Sequence, residues 1–205
     1  MQIQRRKWHR RAAAFAMAAV VLLAGSVPAV SQDKPYPELD QQLTALRNQF
    51  NADTGKVRVL FIGDPTCPPC RHGASVIQQN VVSKFSSDKL AVYVVWVPLL
   101  NLQDPATLQR HAHQYANLIP PGPRVTHYSD PEAYSGKRYG SILRVPYGSP
   151  AWDIYLAFSA DARWGDAAPI PTYWEHQLGG LHSTRYLDGP RFEEEIRKLL
   201  GKIGQ

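Results

Sequence analysis

The sequence is poor in sulfur. Its 205 residues include two cysteines and two methionines, and both cysteines fall in the tetrapeptide Cys67-Pro68-Pro69-Cys70. Secreted disulfide scaffolds spread several cysteines at wide spacings, so that class is excluded. A bridge across so short a loop would constrain almost nothing in the unfolded chain, because the entropy gain grows with loop length. A second C-x-x-C or a histidine pair at ligand spacing is also missing, so the four donors of a structural zinc site are not encoded. No apolar run reaches the length of about 20 residues that spans a bilayer. The chain has no internal repeat and no low-complexity tract. Structure gains little from the cysteine pair, which leaves chemistry as its reason.

Excess charge of one sign is equally illusory. The formal net charge is +6, but residues 1–31 hold Arg5, Arg6, Lys7, Arg10 and Arg11 and no acidic residue. This basic start, the apolar run Ala12–Gly25 and small residues at Ala29 and Ser31 predict a secretory signal peptide over residues 1–31. Cleavage after Ala29 and after Ser31 reads equally well, and an uncleaved anchor is disfavoured by the shortness of the run. Leu23-Ala24-Gly25-Ser26 resembles a lipoprotein processing box, but serine stands where the lipid-bearing cysteine must be. Arg5-Arg6 hints at twin-arginine export without the Ser or Thr that precedes such a pair. Losing the five basic residues brings the charge down to +1. No basic stripe interleaved with aromatics remains, so no nucleic-acid partner is expected.

The rest divides into a helical segment, residues 32–54, and an α/β domain, residues 55–205. Leu39, Leu43, Leu46 and Phe50 share one face of a helix expected over Glu38–Phe50. Val57–Ile62 and Leu90–Leu100 are β-branched apolar runs with the composition of buried strands. Val76, Ile77, Val81 and Phe85 mark the helix between them, which predicts a right-handed βαβ unit with parallel pairing. Asp104-Pro105 should open a helix reaching about Leu118. Val125–Tyr128 reads as a short strand, Ala133–Tyr139 as a short helix or turn, and Trp152–Phe158 as the clearest late strand. Ser159–Ala162 is expected to turn the chain back through Arg163-Trp164, while Gly165–Leu187 carries no readable strand. A last helix starts after Asp188, with acidic residues early and lysines late.

The C-x-x-C therefore sits where a strand hands over to a helix, with Pro68 and Pro69 in the first turn that tolerates them. Disulfide exchange needs a thiolate attacker and a second sulfur that resolves the mixed disulfide. At a helix N-terminus, unpaired N–H groups and the macrodipole favour the anion of the first cysteine. Such motifs lower its pKa from about 8.5 to between roughly 3.5 and 7.5. Arg71 and His72 would favour the anion further if their side chains turned back.

A strand, a C-P-P-C at a helix start, a second strand and a late hairpin with a terminal helix resemble the thioredoxin-like superfamily. Arg124–Asp130 and Tyr139-Gly140 make the resemblance closer to the extracytoplasmic TlpA/redoxin type. It implies a central mixed β-sheet flanked by helices, with an extra strand–helix insertion before the late β-hairpin. It also implies Cys67 as the attacking thiol and Cys70 as the resolving one, and a cis-proline beside them. Pro150 is the choice for that proline, with Pro146 and Pro171 as competitors. Pro68, Pro69 and Thr66 complete the expected active-site surroundings. Two positions depart from thioredoxin: Thr66 stands where Trp usually precedes the first cysteine, and Phe61 stands where thioredoxin has a buried carboxylate. Asp64 could replace that carboxylate, but an Asp beside Pro65 reads first as a turn former.

The expected activity is exported thiol–disulfide exchange on protein thiols and disulfides of the cell envelope, in the periplasm or an equivalent space. A separate redox partner would reset the pair, and no cofactor is implied. The alternative is a thiolate carrier of copper, a soft metal that suits two thiolates with a distal histidine. Copper-delivering relatives of the Sco type use C-x-x-x-C, one residue longer. His111 and His113 do not share a helix face, and His176 reads as core or rim packing. A peroxidase would need the T-x-x-C pattern, whose threonine position is Asp64.

Overall fold

Two apolar runs form the centre of the molecule. In the computed structural model, which describes residues 34–101 and 104–204, β1 (Val57–Gly63) and β2 (Leu90–Trp96) are buried at every position. The signal peptide read in residues 1–31 lies outside the described residues. β1 and β2 pair in parallel, and β3 (Val125–Ser129) adds in parallel on the far side of β2. On the other side of β1, β4 (Ile154–Phe158) and β5 (Tyr173–His176) are antiparallel, giving the sheet order β3-β2-β1-β4-β5.

Alternation along the strands sends side chains to two cores. Val59, Phe61, Val94, Trp96 and Tyr155 face α2 (Pro68–Ile77), α3 (Pro105–Gln114) and α5 (Gly189–Leu200). Leu60, Ile62, Val95, Leu156 and Phe158 face α1 (Thr44–Ala52) and α4 (Tyr134–Leu143). Strands covered on both faces need apolar residues throughout, which is the pattern the sequence carries. Asp104 and Asp188 cap their helices as expected, accepting from the N–H groups of Thr107 and Arg191. No helix among the described residues is long and apolar enough to cross a membrane.

Two elements differ from expectation. The first helix begins at Thr44, because the chain before it is extended along β3: Leu39 N–H donates to the Ser129 carbonyl at 2.8 Å. Leu39 and Leu43 still reach the core, so the helical spacing was satisfied without a helix. The late hairpin returns through Tyr173–His176, not Arg163-Trp164. Trp164 instead turns its ring into the core against Phe50, and the Asn51 side-chain amide takes both of its backbone groups at 2.9 Å. Satisfied by a side chain, that backbone has no need of a ladder partner.

Candidate active site

β1 ends against the helix that carries the cysteines. Asp64 forms the turn between them: its Oδ1 accepts from Thr66 N–H and Oγ at 2.7 and 2.6 Å, and its Oδ2 from Leu100 N–H at 2.8 Å. Its carboxylate is committed to the loop, as a turn former's should be. Thr66 also accepts from Asn101, which makes it part of the same turn. Cys67 is the N-cap of α2, and its Sγ accepts from Cys70 N–H at 3.2 Å. Pro68 and Pro69 are exposed at the helix start and supply no N–H there.

Both cysteines are free thiols, with Cys67 5% and Cys70 0% exposed. Hydrogen bonding from Cys70 holds the Cys67 thiol below its ordinary pKa against the opposing effect of burial. Burial, and the hydrogen bond given to Cys67, push the Cys70 thiol far up. The two sulfurs are thus chemically unequal: Cys67 gives up its proton more readily than an ordinary thiol, and Cys70 holds its proton more tightly. Arg71 does not contribute to this, since its guanidinium donates to Tyr115 Oη at 2.7 Å and lies over that ring. His72 is exposed. The charged groups that act on Cys67 are Asp153 and Asp64, and both oppose its ionisation.

Asp153 is the residue that sequence reasoning missed. It is 2% exposed, stands just before β4, and has the left-handed φ of 54° that Asp tolerates better than most residues. One of its carboxylate oxygens and the two cysteine sulfurs all lie within 4.8 Å of one another. Its Oδ1 accepts from Tyr155 Oη and from Gln177 Nε2, the latter at 3.0 Å. Gln177 also donates to the Pro69 carbonyl at 2.9 Å, tying the loop after β5 to the helix start. Burial raises the Asp153 pKa, partly offset by Tyr155, Gln177 and the Cys70 thiol, each favouring the anion. Tyr155 pairs with Phe61 across β1 and β4, and the rings stack at 5.2 Å. One signal was present in the sequence: an acidic residue inside the apolar run Trp152–Phe158 needs a partner if the run is buried.

Pro150, expected as a cis-proline, has a trans peptide bond. It rests on α4, where Ala151 N–H donates to the Gly136 carbonyl at 2.8 Å and a side chain on Gly136 would collide with the Ala151 carbonyl. The residue between Pro150 and the strand that meets the sulfurs is Asp153, and no peptide bond among the described residues is cis. Pro146 lies in a short 3-10 turn, and Pro171 precedes the second hairpin strand, not the first. His176 is core packing: Nδ1 accepts from Leu178 N–H at 3.0 Å and Nε2 faces the His182 carbonyl. His113 stacks on Tyr36 at 4.1 Å. Two sulfurs and a carboxylate that already holds two hydrogen bonds fall short of a closed four-donor metal site.

A parallel β1–β2 unit with a dithiol at its helix start, followed by an antiparallel hairpin and a terminal helix, is the thioredoxin-like fold. The inserted strand β3, followed by α4, widens its sheet at the β2 edge. No protein-family model matches the sequence, and no curated protein does. Solved structures with similar folds include a secreted Mycobacterium tuberculosis disulfide oxidoreductase homologous to E. coli DsbE. It is 16% identical, with 72% of this chain and 85% of that one covered at a TM-score of 0.42. M. tuberculosis DsbF is 16% identical over 72% of this chain and 84% of its own, at a TM-score of 0.41. A thioredoxin-like superfamily protein is 21% identical over 74% and 84%, at a TM-score of 0.45. This chain's own strand order and connections define the fold.

Proposed function

We propose that this chain is an exported thiol–disulfide oxidoreductase that acts on protein thiols and disulfides of the cell envelope. The carrying observation is the inequality of its two thiols. Cys67, at the helix N-terminus, is held below its ordinary pKa, and Cys70 is sealed behind it with its proton retained. Cys67 as thiolate attacks a partner disulfide and one partner sulfur leaves. Cys70 then attacks Cys67, the second partner sulfur leaves, and the pair closes to a disulfide. A separate redox partner returns it to the dithiol. Export is supported by the basic, apolar and small-residue succession of residues 1–31. Pro68 and Pro69, exposed beside Cys67, leave the attacking sulfur at a surface that a protein partner can approach.

Replacing Cys70 by Ser should trap partners on Cys67 as mixed disulfides in envelope extracts, resolved by dithiothreitol and absent from the Cys67→Ser variant. If no adducts form and the wild type shows no dithiol turnover, the reading fails. The copper-carrier alternative predicts stoichiometric Cu(I) uptake by the reduced protein. What gathers with the sulfurs is a carboxylate, a poor partner for that soft ion, which favours exchange chemistry.

A further inference from the structure

We propose that Asp153 accepts the proton of Cys70 when Cys70 resolves a mixed disulfide on Cys67, a role that rests on the oxidoreductase reading above. Cys70 is fully buried, so its proton leaves through a neighbouring group. The titratable groups that face Asp153 are Cys67 and Cys70 on α2, Tyr155 on β4 and His176 on β5, with Asp64 beyond Cys67. Tyr155 is a donor to Asp153, and burial keeps its phenol protonated. His176 has both ring nitrogens engaged, with the Leu178 N–H and the His182 carbonyl. Asp64 has both oxygens engaged with Thr66 and Leu100. At Asp153 Tyr155 and Gln177 both bind Oδ1, and the Cys70 thiol is the third donor to the carboxylate, already in contact with the group that would take its proton.

The carboxylate's surroundings suit that task. A proton acceptor works best when its own affinity approaches that of the donor. Burial raises the affinity of Asp153 in the required direction. The step balances as follows. Cys70 Sγ–H transfers its proton to Asp153, and the resulting thiolate attacks Cys67 Sγ. The Cys67–Cys70 S–S bond forms as the Cys67–partner S–S bond breaks. The partner sulfur leaves with the electron pair and collects the proton from Asp153. The dithiol is oxidised by two electrons and the partner disulfide is reduced by two.

The test separates the two halves of the reaction. Reduced protein is mixed with glutathione disulfide, quenched at intervals and analysed by mass spectrometry between pH 5 and 9, a range chosen about the ordinary thiol pKa. Asp153→Asn keeps an oxygen for Tyr155 and Gln177 but cannot take a proton. The Cys67–glutathione adduct should form at least as fast as in wild type, because a charge opposing Cys67 ionisation is gone. Its resolution should slow by about 10²- to 10⁴-fold, the range for a lost acid–base group, and recover steadily with rising pH. Tyr155→Phe retains the carboxylate but removes a donor that favours its anion, so the low-pH limb of the resolution rate should move to higher pH. Wild-type resolution and pH profile in Asp153→Asn overturn the proposal. If that variant does not fold, an unshifted profile in Tyr155→Phe overturns it. Failure of the wild type to form any adduct or disulfide defeats the oxidoreductase reading instead.

Discussion

The Tyr155 hydroxyl occupies the space that a side chain on Gly73 would need. A Cβ built on this helical glycine would collide with the Tyr155 oxygen and ring, both held in place by Asp153, Gln177 and the stacked Phe61. The contact docks β4 against α2 one turn beyond Cys70, and so sets the spacing between the carboxylate and the thiols.

Gly73→Ala is accordingly expected to destabilise the protein. Helix propensity alone would favour alanine by about 1 kcal/mol. Overpacking against a stiff, buried, hydrogen-bonded ring costs about 1–3 kcal/mol, so the clash wins or nearly cancels the gain. Urea denaturation should show a lower midpoint at unchanged slope, with the thiol reactivity of Cys67 altered in the same variant. A more stable Gly73→Ala protein would contradict the packing described.

Asp153 should make stability fall as pH rises. Its folded pKa is raised above the ordinary 3.8, so the native state holds the proton more tightly than the unfolded chain does. The favourable contribution is full below 3.8 and is lost as pH climbs through the raised value. Asp153→Asn removes that dependence and should be more stable than wild type at neutral pH, since a buried charge is gone. Denaturation curves for both proteins across this window should converge at low pH and separate at high pH. Parallel curves would show that the carboxyl does not titrate differently on folding.

The strand–turn–helix carrying Cys67 and Cys70, the parallel β1–β2 unit and the final capped helix were legible, because each depends on neighbours in sequence. The inserted β3 and α4 were legible for the same reason. Features set by distant contacts were not. Pro150 looked suited to meet the sulfurs because a strand follows it. Gly136 and Gly140 on α4 pack closely against Ser149–Ala151, and the side chain gathered with the sulfurs is that of Asp153, at a left-handed turn. Phe61 marks the loss of thioredoxin's buried carboxylate and Asp64 stands as its nearest substitute in sequence, yet the carboxylate gathered with the sulfurs is Asp153, beside the adjoining strand β4. The path from β4 to β5 depends on Asn51, in a helix that precedes both strands.

Asn51→Ala tests that last dependence. It removes one donor and one acceptor from the Trp164 backbone, at a cost of about 1–3 kcal/mol if those groups stay buried. Amide exchange should accelerate at Trp164 and its neighbours, while the β1–β2 ladder keeps its protection relative to global stability. Adduct formation at Cys67 should be unchanged. Equal loss of protection across the sheet would mean that the loop is not a separate unit.

Selective alkylation gives the most direct view of the unequal thiols. Only thiolates react appreciably with iodoacetamide, so the rate at each cysteine follows its ionised fraction. Cys67 is held below the ordinary thiol pKa by hydrogen bonds from Cys70, whereas burial pushes Cys70 up. Modification of the reduced native protein should therefore reach Cys67 first, with half-maximal rate below pH 9.0, and leave Cys70 unlabelled until unfolding. The negative charge of Asp153 opposes ionisation of Cys67, so Asp153→Asn should move the Cys67 profile to lower pH. Cys70→Ala removes the side-chain donor to Cys67, and should move it to higher pH. Opposite shifts in these two variants can come only from a sulfur that feels both groups. Identical profiles in all three proteins would mean that helix position alone sets the reactivity of Cys67.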